Sequence, residues 1–138
     1  MQPRFRRHLV ESRVAFLVAA LVALSVGALI ALQAVIPPTL GFLGLLIGGI
    51  AVGLCGTEVR KTVTYAFLAG FAAYFLGSVA FIWSASIGAG YPGERVGGEI
   101  AIGAFVGLLF GVVAGLWTAF GGMAGTLVQR RLRTRGGP

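Results

Sequence analysis

Four long apolar runs, separated by short polar breaks, organise this sequence. They extend over residues 14–36, 40–56, 63–87 and 100–128, and none contains a charged residue. A helix that crosses a bilayer needs about 20 apolar residues, within a range of about 17–25. Each run is therefore read as a transmembrane helix, the second at the short end of that range and the fourth beyond it. At about 1.5 Å per residue the fourth would reach roughly 43 Å if straight. It is expected to tilt, to extend past the hydrocarbon, or to break near Gly121-Gly122.

The breaks carry turn chemistry. Pro37 and Pro38 have no amide hydrogen and disfavour helix at the preceding residue. The connection from Gln33 to Thr39 thus predicts a tight turn between antiparallel helices. Residues 88–98 are rich in Gly, with Tyr91-Pro92 between them, and predict one sizeable loop. Within it, Gly88, Gly90 and Gly93 match G-x-G-x-x-G. The dinucleotide fingerprint needs a strand before it and a βαβ unit around it; here an apolar helix precedes, so the match reads as a turn. The first run is too long for the apolar stretch of a cleaved signal peptide, and no good cleavage site follows it.

The fold expectation is an all-α integral membrane bundle of four antiparallel transmembrane helices. It has a basic tail over residues 1–13, a membrane domain over 14–128 and a second basic tail over 129–138.

Inside the runs, small residues recur at helical spacing. Gly103, Gly107, Gly111, Gly115 and Ala119 stand four apart in the fourth run, as do Ala15, Ala19, Ala23, Gly27 and Ala31 in the first. The second carries Gly44 with Gly48 and Gly49 with Gly53. The third has Ala66, Gly70, Ala73, Gly77, Ala80 and Ser84 on one face, with Phe67, Phe71, Tyr74, Phe75 and Phe81 off it. Lipid is as apolar as leucine, so burial drives helices together only weakly in a bilayer; small residues let backbones touch and gain dispersion instead. Gly44, Gly48, Gly49, Gly53, Gly70, Gly77, Gly103, Gly107, Gly111 and Gly115 are the candidate packing residues. The ribbons of the first and fourth helices are of equal length and run antiparallel, which predicts that these two helices are neighbours. Packing inside one bundle and packing against another chain both remain open. Every helix carries a small face, which is more than four helices need among themselves.

Composition agrees with the pattern. The 138 residues are 57% hydrophobic and 11% charged, against roughly 25% charged in soluble domains, which excludes an ordinary soluble domain. The net charge of +7 could suggest nucleic acid, but its placement has a simpler meaning. With both ends on one side, that side holds Arg4, Arg6, Arg7, Arg13, Arg60, Lys61, Arg130, Arg131, Arg133 and Arg135. Of the 11 Lys and Arg residues, only Arg95 falls opposite. The positive-inside rule then places both termini in the cytoplasm. The ten basic residues are candidate contacts for anionic lipid headgroups, each worth about 1 kcal/mol near the surface. Nucleic acid would matter chiefly for a virion membrane protein lying over a genome.

Candidate chemistry is sparse. There is no Asp and no Asn; the acids are Glu11, Glu58, Glu94 and Glu99, and His8 and Cys55 are single. One His and one Cys cannot supply a three- or four-ligand metal site. No cofactor, metal or catalytic residue is expected. Coupled transporters keep an ionisable group within the membrane, and none of the runs has one. Glu58 and Glu99 are expected at the edges, beside Arg60 and Arg95. The hydroxyls of Ser25, Tyr74, Ser78, Ser84, Thr118 and Thr126, with Gln33, are the polar groups at membrane depth.

A long first helix, a second carrying Gly48-Gly49-Ile-Ala-Val-Gly53 and a fourth ending in Gly121-Gly122-Met-Ala-Gly125 resemble small four-pass prokaryotic membrane proteins. The resemblance implies a multi-pass protein of the prokaryotic cell membrane and brings no activity with it. Small fluoride channels and small multidrug exporters share the size, but the polar pore track of the former and the membrane-embedded glutamate of the latter are missing. The leading expectation is a non-enzymatic packing, scaffold or accessory subunit that joins copies of itself or a larger membrane assembly through its glycine-rich helix faces. A small oligomeric channel or transporter is the alternative, and a viral membrane protein with basic internal tails is the second.

Overall fold

The computed structural model describes residues 3–32, 37–56 and 58–135. They form four helices: α1 over Pro3–Ala31, α2 over Pro38–Cys55, α3 over Val59–Gly88 and α4 over Gly93–Arg135. The protein is an all-α bundle whose successive helices run antiparallel. Three stretches are long and apolar enough to cross a membrane: Arg13–Ala31, Val59–Gly88 and Gly93–Thr134. The 18 residues of α2 make a helix of about 27 Å, just short of the ~30 Å hydrocarbon layer.

Around the bundle the order is α1, α2, α4, α3, and α2 also meets α3 across the middle. Two hairpins, α1–α2 and α3–α4, therefore lie side by side with parallel helices facing. Gly27 of α1 sits on Ala73 of α3, and Gly53 of α2 sits on Gly122 and Gly125 of α4.

This order corrects the expectation that the first and fourth helices are neighbours: among the described residues α1 and α4 make no contact. Helix α3 stands between them and engages both ribbons. It offers α1 Ala73 and Gly77, and offers α4 its phenylalanines together with Ala66 and Gly70. Equal ribbon length reported two separate matches to α3, not a match of α1 to α4.

The breaks are shorter than the sequence predicts. The expected loop over 88–98 shrinks to four residues because α4 begins at Gly93. Helix α3 ends in a Schellman turn: Gly90 N–H donates to Ile87 O, Tyr91 N–H donates to Ser86 O, and Gly90 is left-handed at φ 69. Pro92 O then accepts from Arg95 and Val96 and opens α4. Glu94 in the first turn suits the positive end of the helix. Both basic tails continue as helix, α1 from Pro3 and α4 to Arg135. Helix α4 is unbroken at Gly121-Gly122; its 43 residues span about 65 Å, so of the expected options it extends past the hydrocarbon. The end of α1 predicted at Ile36, Gln33 within the turn, and Thr57 lie outside the described residues.

The bundle is small inside and large outside. Its biggest fully buried side chains are Leu45, Val52, Thr62, Thr118 and Thr126, while Leu21, Leu24, Phe105, Leu116 and Phe120 are exposed. In water that distribution would be costly; facing lipid tails it is not, because the surroundings are as apolar as the side chains.

Candidate functional site

The residues singled out from the sequence collect into two places: the glycine seams between helices, and the end of the bundle that carries the cations.

The seam between α3 and α4 is a ladder of rings on a glycine ribbon. A Cβ built on Gly107 would meet Phe75 Cδ2 at 3.2 Å, on Gly111 it would meet Phe71 Cδ2 at 3.1 Å, and on Gly115 it would meet Phe67 Cε2 at 2.8 Å. Gly103 takes Ile82 in the same way. The rings stack along α3, with centroids 6.4 Å apart for Phe67–Phe71 and 6.1 Å for Phe71–Phe75. Each ring fills the space that a side chain on α4 would need. Below the ladder, Ala66 Cβ would stand 2.8 Å from a Cβ on Gly122.

The α2–α4 seam is different in kind, because there backbone meets backbone. A Cβ on Gly121 would stand 2.6 Å from Leu46 O, and one on Gly53 would stand 2.8 Å from Gly125 Cα. Cβ atoms on Gly49 and Gly125 would run into the carbonyls of Thr118 and Ile50. No flexible side chain lies between, so any substitution must part the helices. Just beyond the crossing, Trp117 Nε1 of α4 donates to Phe42 O of α2 at 3.3 Å.

The remaining candidates sit around α1 and α3. Gly44 and Gly48 of α2 receive Val26 and Val22 of α1, Gly77 of α3 faces Gly27 O and Ile30, and Gly70 faces Ala114 O and Thr118 of α4. All ten candidate packing glycines thus face a neighbouring helix of the same chain. The small face read on α3 is narrower than expected: Ala66, Gly70, Ala73 and Gly77 are buried, whereas Ala80 and Ser84 are exposed. On α1, Ala15, Ala19 and Gly27 are buried, and Ala23 and Ala31 are half-buried.

Sequence reasoning missed Gly121, Gly122 and Gly125 as packing residues and treated the pair as a place where the helix could break. The signal was present: Gly49-x3-Gly53 and Gly121-x3-Gly125 carry the same spacing. It becomes readable only once α2 and α4 are known to run parallel.

Three of the buried hydroxyls serve their own helices. Thr62 donates to Glu58 O at 2.8 Å, Thr118 to Ala114 O at 2.8 Å, and Thr126 to Met123 O at 2.8 Å. Each bonds the backbone about one turn back, which satisfies the hydroxyl in an apolar medium. Cys55 is a half-buried free thiol, and the described residues hold no cluster of three or more His, Cys, Asp or Glu.

Antiparallel succession puts the start of α1, the end of α2, the start of α3 and the end of α4 at one end of the bundle. Arg13, Arg60, Lys61, Arg130, Arg131 and Arg133 are exposed there. The backbone of Arg4, Arg6, Arg7 and Arg135 continues the same helices. Lys61 Nζ pairs with Glu58 at 2.7 Å. At the opposite end Arg95 reaches Glu99 at 3.9 Å and lies 4.2 Å from the Tyr91 ring centroid. The arrangement as a whole is a four-helix bundle with three helices long and apolar enough to cross a membrane, close-packed within and cationic at one end. Searches against protein-family models, curated proteins and solved structures found no match for this chain.

Proposed function

We propose that this protein is a non-enzymatic, multi-pass subunit of the prokaryotic cell membrane, acting as a scaffold or accessory element within a larger or self-made assembly. Its termini and cationic end face the cytoplasm, and α2 serves as the fourth crossing. A bilayer thinned by a few Å accommodates a short helix at modest cost, and the asymmetry of Lys and Arg supports the orientation. The observation that carries the reading is the use of the glycines: they are engaged between helices of one chain, leaving smooth outer faces of large apolar side chains. Assembly therefore uses those outer faces, such as the one carrying Phe105, Leu109, Leu116 and Phe120, all exposed, and not the ribbons. The channel reading has less support, because the hydroxyls of Thr62, Thr118 and Thr126 are bonded within their own helices.

The test is the mass of the particle extracted in mild detergent from its native membrane, with every polypeptide in it identified. A particle with further copies or with larger, different chains supports the subunit reading. A bare monomer overturns it.

A further inference from the structure

Two hollows meet on the outer side of the α1–α3 seam, at the cationic end. One, about 330 Å³, is lined by Arg13, Phe16, Leu17 and Tyr65. The other, about 200 Å³, shares Phe16 and Tyr65 and continues between Ala20 and Ala23 of α1 and Leu68 and Ala72 of α3. The alanines keep it open between the larger side chains of Phe16, Tyr65 and Leu68. Phe16 and Tyr65 meet edge to face at 5.9 Å where the two hollows join.

The polar groups gather at one mouth only. Arg13 is exposed. Lys61 stands one turn before Tyr65 on α3 and is paired with Glu58. Beyond Tyr65 the trough is lined by hydrocarbon. From Arg13 to Ala23 the helix rises about 15 Å, half of the ~30 Å hydrocarbon thickness. The groove therefore has the length of one leaflet, a cationic mouth at headgroup level and an apolar floor.

We propose that this groove seats one anionic phospholipid of the cytoplasmic leaflet. The Arg13 guanidinium takes the phosphate as a two-pronged donor, and the Tyr65 hydroxyl donates beside it. One acyl chain lies along the alanines. A trough of this shape matches a single flexible chain better than a second helix, which would need backbone contact along both walls. The inference rests on the membrane reading above. Alkaline extraction of the native membrane, which releases peripheral proteins and retains integral ones, tests that reading separately.

The experiment is native mass spectrometry of the full chain, titrated with phosphatidylglycerol, phosphatidylcholine or inorganic phosphate. One phosphatidylglycerol should bind ahead of all others, and inorganic phosphate should not compete, because the chain contributes as well as the charge. Arg13→Gln should weaken that first site by about fivefold, and the pair Ala20→Leu with Ala23→Leu should abolish it. Arg130→Gln removes the same charge from the same end and should leave it unchanged. Circular dichroism melts establish that each variant is folded, and Arg13→Lys, which keeps charge but loses the fork, should fall between. Equal losses for Arg13→Gln and Arg130→Gln would overturn the site in favour of diffuse attraction. Equal binding of the two lipids, or competition by inorganic phosphate alone, would overturn it as well.

Discussion

Helix α4 uses one sequence spacing in two physically different ways. In its first half Gly107, Gly111 and Gly115 form a shelf for the side chains of Phe75, Phe71 and Phe67. In its second half Gly121 and Gly125 form no shelf; they lie on the backbone of α2 at Leu46, Ile50 and Gly53. The first seam is antiparallel and lined by rings, the second parallel and lined by carbonyls. A four-residue glycine repeat thus states that something comes close. What comes close is decided by the partner: large residues at the same interval on α3, glycines on α2.

The two seams should answer substitution differently, most strongly where backbone is involved. Gly53→Leu should part α2 from α4 and cost at least about 3 kcal/mol, since nothing along that crossing can repack. Reversible unfolding in mixed detergent micelles would read the loss, and a cost below about 1 kcal/mol would mean the crossing is looser than described. No second-site change to a smaller side chain should rescue it.

Gly111→Leu should cost about 2 kcal/mol by displacing the Phe71 ring, and here rescue is expected. Adding Phe71→Ala vacates the space that the leucine needs, so the double variant should recover at least half of the loss. Additive costs in that cycle would break the distinction between the seams. Trp117→Phe removes a single hydrogen bond to α2 and should cost about 0.6 kcal/mol, the average for such bonds between helices in membranes.

The smallest effect has the opposite sign. Nothing lies within 4 Å of a Cβ on Gly97, which is helical and exposed. Gly97→Ala should stabilise by about 0.5 kcal/mol through helix propensity alone. A destabilisation there would show that the start of α4 packs against something further.

Much of the fold was legible because periodicity and hydropathy act locally. The four runs, the antiparallel succession and the cationic end follow from residues near one another in sequence. The helix limits did not, because Gly and Pro were read as loop formers wherever they cluster. Around residues 88–93 they do something more economical: Gly90 closes α3 in a left-handed turn and Pro92 begins α4 almost at once. Helix partners were the least legible. Ala15–Ala31 and Gly103–Ala119 looked complementary as ribbons, yet each found its match on α3. Which faces of α3 those would be was visible only as small residues on one side and phenylalanines off it. Gly121 and Gly125 were hidden for a related reason: their partner lies some 70 residues earlier, on a helix whose direction relative to α4 sequence alone does not state.

The central claim is that the glycine ribbons pack the chain against itself. A cysteine pair at Phe75→Cys and Gly107→Cys, in a Cys55→Ser background, tests it in the native membrane. A Cβ on Gly107 would lie 3.3 Å from Phe75 Cα, close enough for a disulfide after small adjustment. Mild oxidation followed by mass analysis should give a cross-linked monomer two hydrogens lighter, with neither single variant forming dimers. Efficient dimer formation by Gly107→Cys alone would place that ribbon against another chain and contradict the account.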